Sequence, residues 1–372
     1  MRVLHVYRTY FPDSQGGLEE AIRQLCRATT SRGVQNRIFT LSPCPRPAVL
    51  QRPEAEVHRF PRTCEIASCG ISVSALAGFR ALVDWADLVH YQFPWPFADF
   101  LHLAACVRKP ALVSYQADIV RQQGWLRLYR PLMRQFLARM AAVVATSPQY
   151  AASSPVLSAM RDRLQVIPLG LDPASYPVPS ADRQQEVLRR FGRDYFLFVG
   201  VLRYYKGLSF LLEAARHAPF QVVVAGSGPL ESLLHRQVRE LGLSNVHFAG
   251  HVDDATKVAL LQQARALVFP SHLRSEAFGM ALLEGALFAR PLISCEIGSG
   301  MSYINQHNQT GLIVPPEDPF ALRQAMLQLY QDEVLAARLG AGAYQRFLQL
   351  FTAERMAEQY LHLYRWILGS SP

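Results

Sequence analysis

At 372 residues the chain exceeds what one ordinary hydrophobic core accommodates and suits two α/β domains. Half of its residues are hydrophobic and 18% are charged, which excludes a disordered chain, and no apolar run reaches the roughly 18–20 residues that a membrane-spanning helix needs. The net charge of +9 is one-sided: residues 1–170 hold 20 lysines and arginines against 11 acids, whereas residues 171–372 hold 18 of each.

The opening stretch Met1–Tyr7 reads as a strand and lacks the charged, apolar and small-residue sections of a signal peptide, so a cytoplasmic chain is expected. Further strands are predicted at Arg37–Leu41, Leu88–Phe93, Ala111–Tyr115, Ala142–Thr146 and Leu164–Ile167. Most are continuous runs of Val, Leu, Ile and Tyr, as expected for parallel strands covered on both faces. Gly16 and Gly17 fall after the first strand, just before a helix that begins near Leu18. The pair suits either a close approach of backbone to phosphate or a plain structural turn.

Between Trp125 and Met140, Arg127, Arg130, Arg134 and Arg139 interleave with bulky apolar residues. A basic amphipathic helix of this kind can lie on an anionic membrane or simply pack its apolar face on the sheet. The charge excess of the first half likewise fits nucleic acid, an acidic membrane surface, a phosphorylated acceptor, or a merely basic domain. Nucleic acid is disfavoured, because no aromatic-basic recognition motif accompanies the charge.

Pro168–Pro179 carries four prolines and marks the domain boundary, giving a first domain over 1–170 and a second over 171–350. Strands then recur at Tyr195–Val199, Gln221–Ala225, Val246–Ala249, Ala266–Pro270, Pro291–Ser294 and Leu312–Val314. After Pro319 only helical patterns remain, the last starting near Thr352 with Met356, Tyr360, Leu363 and Ile367 as its apolar stripe. The fold class is α/β, with two consecutive Rossmann-like domains.

Ligands of such sheets bind beyond the carboxyl ends of the strands. The loop Gly200–Gly207 follows a strand and carries Arg203 and Lys206, a candidate grip for a diphosphate, although exposed loop cations are commonly inert. The segment Ser271–Glu284 is more specific. Glu276 precedes Gly279, which opens a helix, and Glu284 lies five residues further in, about 7.5 Å along the axis. That spacing suits a sugar at Glu276, a diphosphate at the helix N-terminus and a ribose at Glu284. Leu282, Leu283 and Gly285–Ala289 make Glu284 a buried carboxylate, whose partners would be the ribose hydroxyls.

With seven residues between Glu276 and Glu284, the segment resembles the E-x7-E element of retaining GT-B glycosyltransferases of the family 4 type. The likeness extends over the whole chain, through the early Gly-Gly loop, Gly200…Lys206-Gly207, Ala225–Pro229, Pro270-Ser271 and Thr310-Gly311. Val3–Tyr7, Arg203–Lys206 and Arg274–Gly279 look most like bacterial mannosyl- and rhamnosyltransferases that build O-antigen chains of lipopolysaccharide. The resemblance implies two domains whose sheets face across a donor-binding cleft, with the helix of 351–372 crossing back to the first domain.

By the same resemblance, Glu276 faces the reacting centre, and the backbone of Phe278, Gly279 and Met280 holds sugar and phosphate. Glu284 takes the ribose, Lys206 neutralises the leaving diphosphate, and Gly16 and Gly17 close on the donor from the other domain. Asp118 is the acceptor-side carboxylate, with Arg121 near an acceptor phosphate; a loop aspartate that caps a helix is the alternative for Asp118. Two positions depart from the family. Val201 stands where an arginine is usual, with Arg203 two residues on. Gln116 replaces the usual histidine and can hydrogen-bond but carries neither proton nor charge. A donor lacking the C6 hydroxyl would fit that change, as would loss of activity.

The expected donor is a GDP-sugar and the acceptor a polyprenyl-diphosphate-linked glycan, met at the cytoplasmic face of the inner membrane. No Asp-x-Asp triplet or metal-spaced cluster is present, so a reaction without a metal is expected. The six cysteines lack paired spacing, which points to neither zinc nor disulfides. A non-catalytic sugar-nucleotide-binding subunit of an assembly complex is the alternative. A dehydrogenase is poorly supported, because Gly226-Ser-Gly228 lacks the third glycine of the dinucleotide fingerprint.

Overall fold

The computed structural model describes residues 1–66, 69–119 and 123–369. It divides into two compact units: residues 1–170 together with the chain from Ala353 onward, and Leu171–Thr352.

The first unit contains, in chain order, β1 (Arg2–Val6), β2 (Gln35–Ser42), β3 (Val49–Gln51), β4 (Glu56–Pro61), β5 (Cys64–Ile66), β6 (Cys69–Ile71), β7 (Leu88–Phe93), β8 (Ala111–Tyr115), β9 (Ala142–Ala145) and β10 (Leu164–Val166). Eight of them form one sheet in the order β10-β9-β8-β7-β1-β2-β4-β3. It is parallel except for β3, which runs against β4, while β5 and β6 pair separately as a hairpin. β7, β8 and β9 are buried along their whole lengths, as continuous apolar runs in a sheet covered on both faces should be.

The six strands expected in this half are present, and β3 to β6 are additional. β4 alternates buried and less buried positions and ends on a proline, so its sequence reads as loop; it lies outside β2, next to the edge strand. β3, β5 and β6 have three residues each, too few for a periodic pattern.

In the second unit, β11 (Tyr195–Val199), β12 (Val222–Ala225), β13 (Val246–Gly250), β14 (Ala264–Phe269), β15 (Leu292–Cys295) and β16 (Gly311–Val314) pair in parallel in the order β13-β12-β11-β14-β15-β16. The order reverses between β11 and β14, and in the first unit between β1 and β7. Loops leaving the carboxyl ends of strands at such a switch point diverge and open a crevice.

Helices Pro319–Gln331 and Glu333–Leu350 are capped by Asp318 and Asp332, whose carboxylates accept from Ala321 N at 2.9 Å and Leu335 N at 2.8 Å. The last helix, Ala353–Ile367, buries Met356, Tyr360, Leu361, Leu363 and Tyr364, a wider stripe than the sequence suggested. Among the described residues no helix is long and apolar enough to cross a membrane.

Candidate active site

The second unit's switch point is lined by the loops that follow β11 and β14. Lys206 ends a single turn, Tyr204–Lys206, and Gly207 takes φ +69°, a conformation that favours glycine. A Cβ on Gly207 would lie 1.9 Å from the carbonyl oxygen of Pro270, so only glycine lets the two loops touch there. His272 N donates to Tyr205 O at 3.0 Å and joins them. The approach places the Lys206 ammonium on Glu276, to whose Oε2 Nζ donates; Ser271 Oγ donates to the same oxygen at 3.4 Å.

Nζ also lies 4.2 Å from the centroid of the Phe269 ring. Both side chains of the pair are nearly buried, at 11% and 12% exposed, so their mutual attraction is only weakly screened. An anionic ligand reaching this point would compete with Glu276 for the lysine and leave a carboxylate able to accept from hydroxyls. Arg203 and Val201, by contrast, are exposed on the same loop.

Gly279, at φ +96°, starts helix Met280–Leu287, and no side chain caps that end. Ala277 and Phe278 are buried before it, and Gly300 N anchors Ala277 O at 2.7 Å. Uncapped first-turn amides and the helix dipole favour an anion. Every residue from Ala281 to Leu287 is buried, Glu284 included. Its Oε1 accepts from Lys257 Nζ at 2.7 Å and Tyr176 OH at 3.0 Å.

Besides the ribose hydroxyls expected from the sequence, this buried carboxylate thus has two partners that the protein itself supplies, both on one oxygen. Neither was legible, because Tyr176 sits in the proline-rich boundary and Lys257 in a helix with no site motif. Lys257 also meets Asp254 Oδ1 at 3.0 Å. Burial by itself lowers the Lys257 pKa, but Glu284 and Asp254 outweigh it and raise the value overall.

In the first unit, Gly16 and Gly17 stand where helix Gly17–Thr30 begins, in the loop after β1. Gly16 is extended, so its backbone does not demand glycine; a Cβ there would instead fall 2.7 Å from the buried Glu19 carboxylate. Thr9 and Ser14 hydroxyls donate to Glu19 Oε1, each at 2.8 Å. Gln116 follows β8 directly and is buried; its Nε2 donates to Gln92 Oε1 at 3.0 Å. Asp118 Oδ1 accepts from Tyr115 OH at 3.0 Å and Ser154 Oγ at 2.8 Å, bonds that hold the loop. Arg121 lies outside the described residues.

Helix Gln123–Ala138 buries Met133, Phe136 and Leu137 and exposes Arg127, Arg130 and Arg134, with Leu128 77% exposed beside them. The structure thus brings Lys206 to Glu276 and, by separate contacts, Lys257 to Glu284, while Gln116 and Asp118 share the loop after β8.

Comparison with known proteins follows the same division of the chain. A family model described as Glycosyl transferase 4-like domain matches residues 16–170, and one described as Glycosyl transferases group 1 matches residues 181–346. D-rhamnosyltransferase WbpZ of Pseudomonas aeruginosa is 49% identical over 353 residues, covering 95% of this chain and 93% of the relative. O-antigen chain mannosyltransferase C of Escherichia coli is 45% identical over 370 residues, covering both chains fully. Among solved structures, sucrose-phosphate synthase from Thermosynechococcus elongatus superposes with a TM-score of 0.81 at 22% identity over the whole of both chains. Anabaena HepE with UDP and glucose gives 0.79 at 18% identity, covering 97% of this chain and 98% of that one.

The fold is that of the GT-B glycosyltransferases. The chain belongs to the glycosyl transferases group 1 family and is a glycosyltransferase.

Proposed function

We propose that this enzyme transfers mannose or D-rhamnose, with retention of configuration and without a metal, from a GDP-sugar to a polyprenyl-diphosphate-linked glycan in O-antigen synthesis. The two relatives at 45% and 49% identity, a mannosyl- and a rhamnosyltransferase, support the sugar and the pathway. The observation that carries the site is the lysine–glutamate contact at the second unit's switch point.

In this reading Lys206 exchanges Glu276 for the leaving diphosphate, and Arg203 and the amide end of helix Met280–Leu287 share its charge. Glu276, released from the lysine, accepts from hydroxyls of the donor sugar. Phe278, Gly279 and Met280 hold sugar and phosphate by their backbone, and Glu284, braced by Lys257 and Tyr176, takes the ribose through its second oxygen. Gln116 meets the donor sugar, and Asp118 and Arg121 serve the acceptor. A donor phosphate oxygen removes the acceptor proton, and the new bond forms on the face the diphosphate leaves. The arginine face of helix Gln123–Ala138 holds the enzyme peripherally at the cytoplasmic face of the inner membrane, where lipid-linked acceptors are found.

Titration calorimetry against GDP-, UDP- and ADP-sugars, with turnover assayed in excess EDTA, tests the proposal. Tightest binding of a GDP-sugar, a loss of about tenfold or more in nucleotide affinity for Glu284→Ala, and undiminished turnover in EDTA are expected. Unchanged nucleotide affinity in Glu284→Ala would remove the site. Tight binding with no turnover on any lipid-linked acceptor would instead make the chain a non-catalytic binding subunit.

A further inference from the structure

Six polar side chains under the first unit's sheet form one hydrogen-bonded run, of which the reading above uses only Gln116. His90 and Gln92 alternate along β7, and Ser114 and Gln116 along β8 and its exit, so all four share one face of the sheet. Tyr360 and Tyr364, four residues apart on the last helix, lie on the same side of that helix. All six are buried, the most accessible being Gln116 at 6% exposed.

The bonds have a direction. His90 is held neutral, because burial pushes its pKa well below the ordinary histidine range, and a neutral imidazole carries one N–H. Its Nε2 faces Gln92 Nε2 at 3.2 Å, and an amide nitrogen only donates. Nε2 is therefore the acceptor, and it can also accept from Ser114 Oγ at 2.7 Å, itself 2.7 Å from Tyr360 OH. The proton sits on Nδ1 and is donated to Tyr364 OH at 2.8 Å. With its nitrogen turned to His90, Gln92 offers Oε1, which accepts from Gln116 Nε2 at 3.0 Å. Gln116 then has its carbonyl oxygen left for a ligand.

We infer that Tyr364 is a positioning residue: by holding the proton of His90 on Nδ1 it sets the amides of Gln92 and Gln116 so that Gln116 presents a hydrogen-bond acceptor to a hydroxyl of the bound sugar. The inference rests on the proposed contact of Gln116 with the donor sugar. Without the tyrosine hydroxyl, the proton is free to move to Nε2. Gln92 and Gln116 then reverse, and the sugar meets an NH2 group instead.

Two readouts on the full chain separate this idea from the reading beneath it. In protein carrying 15N-labelled histidine, His90 should show the Nδ1–H tautomer, Tyr364→Phe should shift it toward Nε2–H, and Tyr360→Phe, which leaves Nδ1 its acceptor, should not. Titration with GDP-mannose and with GDP alone should show Tyr364→Phe losing about tenfold in the preference for the sugar nucleotide while GDP affinity holds. A wild-type His90 protonated on Nε2, or a tautomer indifferent to Tyr364→Phe, overturns the inference. If Tyr364→Phe does not fold, the wild-type spectrum alone decides. A tautomer that shifts while the preference stays fixed leaves the relay standing and sinks the contact of Gln116 with the sugar.

Discussion

Glu284 is held by a cation and a phenol, and this changes what its substitution tests. At 10% and 18% exposure, the Glu284–Lys257 pair is desolvated enough that removing Lys257 strands a buried carboxylate, whereas removing Glu284 leaves the lysine its pairing with Asp254. Lys257→Met should therefore destabilise the protein by about 3 kcal/mol in denaturant unfolding, and Glu284→Leu by less, because Asp254 still pairs with the lysine. Combining the two replaces the pair by apolar groups and should recover most of that loss. Nucleotide affinity should stay low in the double variant, because no carboxylate remains for the ribose. Affinity recovered together with stability would mean that Glu284 is structural only.

Two helices of the first unit depend on one protonated acid. Asp99, on helix Pro96–Ala104, is buried and accepts from Tyr129 OH, on helix Gln123–Ala138. Burial is the main cause that raises its pKa from 3.8 to about 8, against a smaller opposing effect of the Tyr129 bond. The folded chain thus keeps a proton that the unfolded chain releases above the ordinary value. That contribution is complete below pH 3.8 and is lost as pH rises to about 8, at up to ~1.4 kcal/mol per pH unit. Asp99→Asn mimics the protonated acid, so chemical denaturation between pH 5 and 8 should lose this downward slope. His5, whose pKa burial lowers to about 4, acts in the opposite sense below pH 6.5, and the comparison with wild type cancels it. An unchanged slope would show Asp99 to be ionised in the folded protein.

Across the whole chain, the charge excess and the exposed arginine face fall in the same unit. The first 170 residues carry a surplus of nine cations, and the arginines of helix Gln123–Ala138 point away from its packed face. Vesicles containing anionic lipid should therefore float the protein, and neutral vesicles should not. Raising salt from 0.1 to 1 M, which shortens the screening length from ~10 to ~3 Å, should release it. Arg127→Glu with Arg130→Glu should abolish flotation while leaving turnover on a short soluble acceptor intact. Flotation indifferent to both lipid charge and salt would remove the membrane reading.

The repeating pattern of strands and helices was legible in the sequence, because period-2, period-3.6 and continuous apolar runs are local signals. All twelve strands read from it are present, and Gly279 opens a helix as expected. β4 escaped because a strand outside the fully covered core carries polar residues and a proline. Which side chains meet was not legible. Lys206 and Glu276 are 70 residues apart, and His90 and Tyr364 are 274 apart. Such pairs depend on which strands become neighbours where the sheet order reverses, and on which sheet face the last helix covers. Periodicity carries neither, so the sequence alone placed the acids and cations at strand ends, and tertiary structure alone chose their partners.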